Sequence, residues 1–182
     1  MFPSLETPRL HLSPLEQGDA EFIYRHFSDP QVNQYLLDEP PISSLDQAQE
    51  IVDFFLQPTA TTYNRWILVT KVDKQPIGTC GFHKWDKRNR RSEIGYDLTP
   101  SAWGQGYMSE ALATMLEYGF THLNLNRIEA LVYPGNPASL KLLERFNFQK
   151  EGLLRDYFHQ NGQFYDHWLL SLLKRQFKRI EQ

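Results

Sequence analysis

Between residues 65 and 133 the chain follows a pattern that admits few folds. Three apolar runs, "RWILVTKV" (65–72), "PIGTCGFHKW" (76–85) and "RSEIGYDL" (91–98), are separated by the polar turns "DKQP" and "DKRNRR". This is the signature of an antiparallel meander. A helical period follows, with Met108, Ala111, Leu112, Met115, Leu116 and Gly119 on one core-facing stripe, and "RIEALVY" (127–133) is again a strand. A strand, a crossover helix and a next strand pair in parallel. The meander therefore feeds a β-α-β unit, and the sheet must be mixed with helices on its faces.

The flanks extend this frame. Leu10 and Leu12 alternate with polar residues in a strand over 9–14. Asp19 is placed to cap a helix whose Phe22, Ile23, His26 and Phe27 share a face. "DEPP" (38–41) breaks the chain, and Ser44 with Gln47 reads as a capping box for a second helix bearing Ala48, Ile51, Val52 and Phe55. Asn136 caps a helix with Pro137 at its first position and Leu140, Leu143 and Phe146 inward. Two last strands, 151–160 and 164–173, flank Asn161–Gly162, a strong hairpin signal. The expected order is β-α-α-β-β-β-α-β-α-β-β, a single α/β domain over residues 4–178.

Bulk properties exclude several classes. A chain of 182 residues suits one core, and a net charge of -3 offers no basic excess to neutralise a nucleic-acid backbone. The runs "DKRNRR" and "KRQFKR" read as a solvated turn and tail. One cysteine, Cys80 in "GTCGF", excludes an internal disulfide and reads as a small buried hydrophobe. No apolar run reaches membrane-spanning length, and "MFPSLETPRL" has no signal-peptide core, so a cytoplasmic protein is expected. The six histidines show no ligand spacing, so no metal is expected.

The stretch that carries chemistry is "WGQGYMSEAL" (103–112), a glycine pair running into a helix. Such a turn brings backbone N–H groups close to a ligand, and a helix N-terminus favours negative charge. A nucleotide-triphosphate P-loop is excluded by the missing G-x-x-x-x-G-K-[ST] spacing. A dinucleotide fold would need a third glycine where Ser109 stands, and a β-α-β unit opening the fold. Coenzyme A and a plain strand-to-helix turn remain open.

"SEIGYDLTPSAWGQGYMSEAL" and "RIEALVYPGNPASLKLLERFNFQKEGLLRDYFHQNGQFYDHWLLSLL" together resemble the GNAT N-acetyltransferase superfamily. With "LETPRLHLSPL" in front, the chain resembles the branch of ribosomal-protein N-terminal acetyltransferases. The resemblance implies a GNAT-like fold with splayed central strands and acetyl-coenzyme A as co-substrate. It implies that Trp103, Gly104, Gln105, Gly106, Tyr107, Met108 and Ser109 form the pyrophosphate loop. Trp103 stands where the family prefers Arg or Gln, and Met108 where it prefers Gly or Ala, but the binding groups are mainly backbone N–H donors. Leu98, Asn136 and Ser139 match positions beside the pantetheine arm and thioester.

Transfer to an amine requires removal of a proton, because an α-amine titrates near pH ~8. Glu93 is the candidate base, facing opposite Ile94, Tyr96 and Leu98 by strand alternation; a structural glutamate is the alternative. Leu143 occupies the place where many family members carry an acid tyrosine, and the resemblance makes Ser139 the substitute. The resemblance puts the acceptor between residues 35–41 and the final hairpin, with Tyr35, Asp38, His83, Tyr157 and His159 as candidate contacts. Asp38, Glu39, Asp156 and Asp166 add acidity there. The expected activity is direct attack in a ternary complex by a primary amine, with a protein N-terminal α-amine preferred. A small amine (polyamine, amino acid or antibiotic) and a non-catalytic acyl-coenzyme A binding module are the alternatives. A homodimer is compatible with the sequence.

Overall fold

The computed structural model describes residues 2–57 and 62–178. Its strands are β1 (Leu5–Glu6), β2 (Leu10–Pro14), β3 (Trp66–Thr70), β4 (Pro76–Asp86), β5 (Arg91–Leu98), β6 (Arg127–Val132), β7 (Gln149–Gln160) and β8 (Gln163–Leu173). Its α-helices are α1 (Ala20–Phe27), α2 (Pro30–Asn33), α3 (Leu45–Leu56), α4 (Tyr107–Thr121) and α5 (Pro137–Arg145). The strands form one mixed sheet in the order β1-β2-β3-β4-β5-β6-β8-β7, antiparallel throughout except between β5 and β6.

Two short elements join the expected order. β1 is too brief to show periodicity and exists through its pairing with β2. α2 is a single turn started by Asp29, whose carboxylate accepts from Gln31 N, with Pro30 in the first turn. Two expected caps differ in detail. Asp19 does not cap α1; it closes a preceding 3-10 turn, its carboxylate accepting from Glu16 N at 2.7 Å. Ser44 does accept from Gln47 N at 3.3 Å, but the Gln47 amide oxygen reaches Ser43 N at 2.7 Å instead of Ser44.

Period-two alternation loads both faces of the sheet. Trp66 and Leu68 of β3 join Cys80, Phe82 and Ile94 in a core under α4, whose Ala111, Leu112, Met115 and Leu116 are fully buried. Ile67, between them, points to the opposite core with Ile23 of α1 and Ala48 and Val52 of α3. Helices cover both sides, as the crossover required.

The feature that matters for function lies at the centre. β5 and β6 pair only over Arg91↔Arg127, Ser92↔Ile128 and Glu93↔Glu129. Beyond that rung β5 stays paired with β4 as far as Leu98, and β6 stays paired with β8 as far as Val132. Each half-sheet keeps its outer ladder while the inner edges part, which is the expected splay.

The β6–β8–β7 half is braced by Arg127, which donates from Nη1 and Nη2 to the two oxygens of Glu151 at 2.7 Å each. Ser171 Oγ donates to the same carboxylate at 2.5 Å. The hydrogen bonds from Arg127 and then Ser171 hold the Glu151 carboxyl down to about 2. Between pH 4.5 and about 2 the unfolded chain therefore binds a proton that the folded chain refuses, and stability falls as pH falls through that window. Glu151→Gln is expected to remove this part of the acid dependence. At pH 7 it should cost about 1 kcal/mol or less, because the pair is partly exposed. Urea titrations at several pH values check both.

Candidate active site

The parting of β5 and β6 opens a cavity of about 110 Å³ that runs through the sheet. Tyr35, Asp38, His83, Glu93, Asn136 and Ser139, all singled out from the sequence, line it together. His83 and Glu93 are cross-strand partners on the face covered by α1 and α3. Tyr96, one residue past Gly95, points to the other face, toward α5. The cavity thus has a carboxylate on one face and hydroxyls on the other.

Glu93 occupies the last rung before the strands part. Its side chain is 19% exposed, and Lys84 Nζ donates to Oε2 at 3.1 Å. Burial raises its carboxyl above the ordinary value, the Lys84 ammonium pulls it back, and the negative charges of Asp38 and Glu129 add to the rise. A carboxylate with a raised proton affinity that still reaches solvent can accept a proton from a bound ligand. Beside it the His83 ring lies over Gly95, where a Cβ would come within 2.7 Å of His83 Cε1. Burial, then the charges of Arg65 and Lys84, push the imidazole down to about 3. It is a neutral wall.

Ser139 is placed by its helix. Asn136 Oδ1 accepts from Ser139 N at 3.1 Å, the cap that starts α5, and this turns the serine hydroxyl into the gap. There Ser139 Oγ meets the Tyr96 hydroxyl at 2.8 Å. Burial pushes the Tyr96 phenol up, so it keeps its proton.

From this hydroxyl pair a channel of about 260 Å³ leads past Leu98 and Asn136 to Trp103, Gly104 and Met108. Gly104 (φ 73°) and Gly106 (φ 80°) both adopt the left-handed region, which an L side chain rarely enters. Gly106 is the N-cap of α4, and its carbonyl accepts from Glu110 N at 3.1 Å. The N–H groups of Tyr107, Met108 and Ser109 come too early in the helix to find intrahelical acceptors. The loop is held from outside by Arg9. Its Nε donates to Glu110 Oε2 at 2.7 Å, its Nη1 to Gln105 O at 3.0 Å, and its guanidinium lies 4.5 Å over the Tyr107 ring. Thr7 also donates to Glu110, which ties the start of the chain to α4. Trp103 Nε1 donates to Leu98 O at 2.9 Å, linking the loop to the end of β5.

Two expected contacts are not among the residues that line the Glu93 cavity. Tyr157 is exposed at the edge of the cavity without lining it, its ring 6.4 Å from His167 and its hydroxyl near enough to act on the Lys84 charge. His159 packs on Phe164 near the hairpin tip. A β-bulge between Leu154 and Phe158 shifts the register of β7 by two residues and so keeps the same parity facing inward; Phe158 and His167 line the cavity. Asp166 is occupied with accepting from Asp156 N at 2.9 Å. Tyr96, Tyr133 and His167 were not marked by the sequence. Tyr96 sits in the quoted "EIGYDL" and could have been found by asking which residue on its face opposes Asn136–Ser139. Among the described residues no cluster of His, Cys, Asp and Glu is placed to hold a metal ion.

Comparison with known proteins agrees with this geometry. Residues 9–149 match the family model described as "Acetyltransferase (GNAT) domain". The chain is 44% identical over 178 residues to the N-acetyltransferase named p20 of Bacillus licheniformis, covering 96% of this chain and 98% of that one. It is 36% identical over 106 residues, 58% of each chain, to YdaF of Bacillus subtilis, which carries a provisional name as a ribosomal N-acetyltransferase. Among solved structures it superposes with a TM-score of 0.82, at 27% identity and over 92% of this chain and 96% of that one, on spermidine N-acetyltransferase from Vibrio cholerae in complex with CoA and spermine.

The buried position of His83 has a measurable consequence. Its imidazole is expected to stay neutral in the folded protein down to about pH 3. Since an unfolded histidine titrates near pH ~6.5, stability contributed by neutral His83 should be lost progressively as pH falls below that value. An NMR titration of the histidine ring signals checks the first statement; a pH series of His83→Gln unfolding, with a shallower acid slope, checks the second.

Proposed function

The chain belongs to the GNAT acetyltransferase family and is an acetyl-CoA-dependent N-acetyltransferase, and we propose that its acceptor is a protein N-terminal α-amine, which attacks the thioester carbonyl directly in a ternary complex. The observation that carries direct transfer is the meeting of Glu93 and the Ser139–Tyr96 hydroxyl pair in one cavity, from opposite faces of the parted strands.

The residues fit the co-substrate. Two left-handed glycines, early helical N–H groups and the adjacent Arg9 guanidinium suit a pyrophosphate at Gly104–Ser109. The channel over Leu98 and Asn136 suits a pantetheine arm leading to Ser139. When bound, acetyl-CoA supplies an acyl carbon activated by a thiolate leaving group. Glu93 takes the proton of the incoming ammonium, directly or through water. Ser139, with its oxygen held by Tyr96, donates toward the sulfur.

Support for an N-terminal acceptor comes from the rim. The cavity opens between the segment 34–42 and the β7–β8 hairpin, joined where Gln160 Nε2 donates to Glu39 O at 2.9 Å. The exposed rings of Tyr157 and Phe164 on that hairpin offer apolar surface to an extended peptide leaving the site. The partial likeness to YdaF points the same way. A small-amine acceptor is the second reading, favoured by the acidic Asp38, Glu39 and Glu50 near the opening and by the likeness to a spermidine acetyltransferase. Thioester consumption with N-terminal peptides and with polyamines separates them. Faster turnover of peptides is expected; turnover of polyamines alone overturns the N-terminal reading, and none with any amine overturns catalysis.

Glu93→Gln should lower turnover by about 10²-fold near pH 7, with CoA affinity little changed. The loss should shrink as pH rises past about 8, where the acceptor loses its proton unaided. A pH-independent ratio near one would remove Glu93 from the reaction. Gly106→Val should weaken CoA binding at least about tenfold, because a β-branched residue resists φ 80° and distorts the N–H cradle. Calorimetric titration with CoA, beside a melting curve that reports folding, measures it.

A further inference from the structure

The face of β4 and β5 that carries Glu93 is incompletely filled farther along the strands. Its successive cross-strand rungs are His83↔Glu93, Gly81↔Gly95 and Thr79↔Asp97. The glycine rung is covered by the Asn64 backbone over Gly81 and the His83 ring over Gly95, and beside it, reaching Gly95 and Asp97, lies a chamber of about 550 Å³, within the range of pockets that enclose small organic groups. Phe27 of α1, Ile51, Phe54 and Phe55 of α3, and Pro41 and Ile42 of the connecting segment supply its apolar walls. Phe54 remains 42% exposed although aromatic.

Three features say what the chamber takes. It is continuous with the Glu93 cavity, since Leu36, Asp38, His83, Gly95 and Tyr96 line both. Its charged floor is largely self-satisfied. Arg65 lies over the Phe55 ring at 4.9 Å and donates from Nη1 to Thr79 Oγ1 at 2.8 Å. Asp97 is held by His26 at 2.6 Å, by Thr79 and by Arg65 at 3.6 Å. The floor therefore offers a lid on the core more than a receptor for a charge. Its opening, by contrast, carries Asp38, Glu39 and Glu50, which favour entry of a cation.

We propose that the chamber receives the substituent on the carbon bearing the acceptor amine, so that the enzyme selects primary amines with a bulky apolar or aromatic group. This deepens the acetyl-transfer reading and rests on it. The ammonium passes the acidic lip and stops at Glu93, while the apolar group lies against Ile51, Phe54 and Phe55. Peptides beginning with Leu or Phe and free arylalkylamines share this chemistry.

The test is initial-rate measurement with acetyl-CoA and peptides differing only in an N-terminal Gly, Ser, Leu, Phe or Trp, beside ethylamine and phenethylamine. Burial of a Leu or Phe side chain should raise kcat/KM for the bulky members at least about tenfold over Gly. Ile51→Trp, which fills the chamber, should bring the Phe-to-Gly ratio near one; Phe54→Ala, at an exposed wall, should shift preference toward Trp and serves if the first variant does not fold. Preference among peptides with phenethylamine idle, or the reverse, supports the inference and identifies the source of the amine. Equal rates for Gly and Phe overturn the inference while leaving acetyl transfer intact, whereas no turnover with any amine overturns both. Loss of a dimer in Ile51→Trp by sedimentation, with selectivity unchanged, would assign the chamber to a second copy and overturn the inference.

Discussion

The hydrogen bonds that β5 and β6 do not make organise the molecule. Three rungs hold the strands together at one end, and from Glu93 and Glu129 onward their inner edges diverge. Buried backbone N–H and C=O groups require partners, so a gap of this kind suits a ligand whose own amides can complete the ladder. The outer ladders, β5 with β4 and β6 with β8, keep the two half-sheets rigid while the centre stays open.

The gap also explains how one small cavity can hold opposite chemistry. Alternation along β5 sends Glu93 to the α1–α3 face and Tyr96 to the α4–α5 face. In a closed sheet the two would be separated by backbone. Where the strands part they share a space, with a carboxylate on one side and a pair of hydroxyls on the other. The raised carboxyl of Glu93 and the neutral imidazole of His83 share a cause, which is burial against the sheet.

The glycine loop shows a different economy of design. Its conformation is fixed by a carboxylate, Glu110, that lies one turn into α4 and binds Arg9 and Thr7 from the first strands. Burial pushes that carboxyl up, but the hydrogen bonds from Thr7 and Arg9 outweigh it and keep it low. The start of the chain and the loop thus form one unit, and the motif "ETPRL" belongs to the glycine loop as much as to the sheet edge.

Sequence periodicity by itself determined the meander, the crossover helix, the hairpin at Asn161–Gly162 and hence the mixed sheet, because each depends on local spacing of apolar residues and turn chemistry. The Asn136 cap and the glycine turn before α4 were legible for the same reason. Resemblance, more than periodicity, pointed to Glu93 and Ser139 as a pair. Other features were decided only in three dimensions. Asp19 lost its cap role to a 3-10 turn, since local hydrogen bonding offers an Asp several equivalent partners. Tyr157 and His159 are not in the cavity lining because they alternate with Phe158, which takes the inward-facing position on β7. Tyr96 met Ser139, and His83 settled over Gly95, through contacts across 43 and 12 residues of chain that no local pattern encodes.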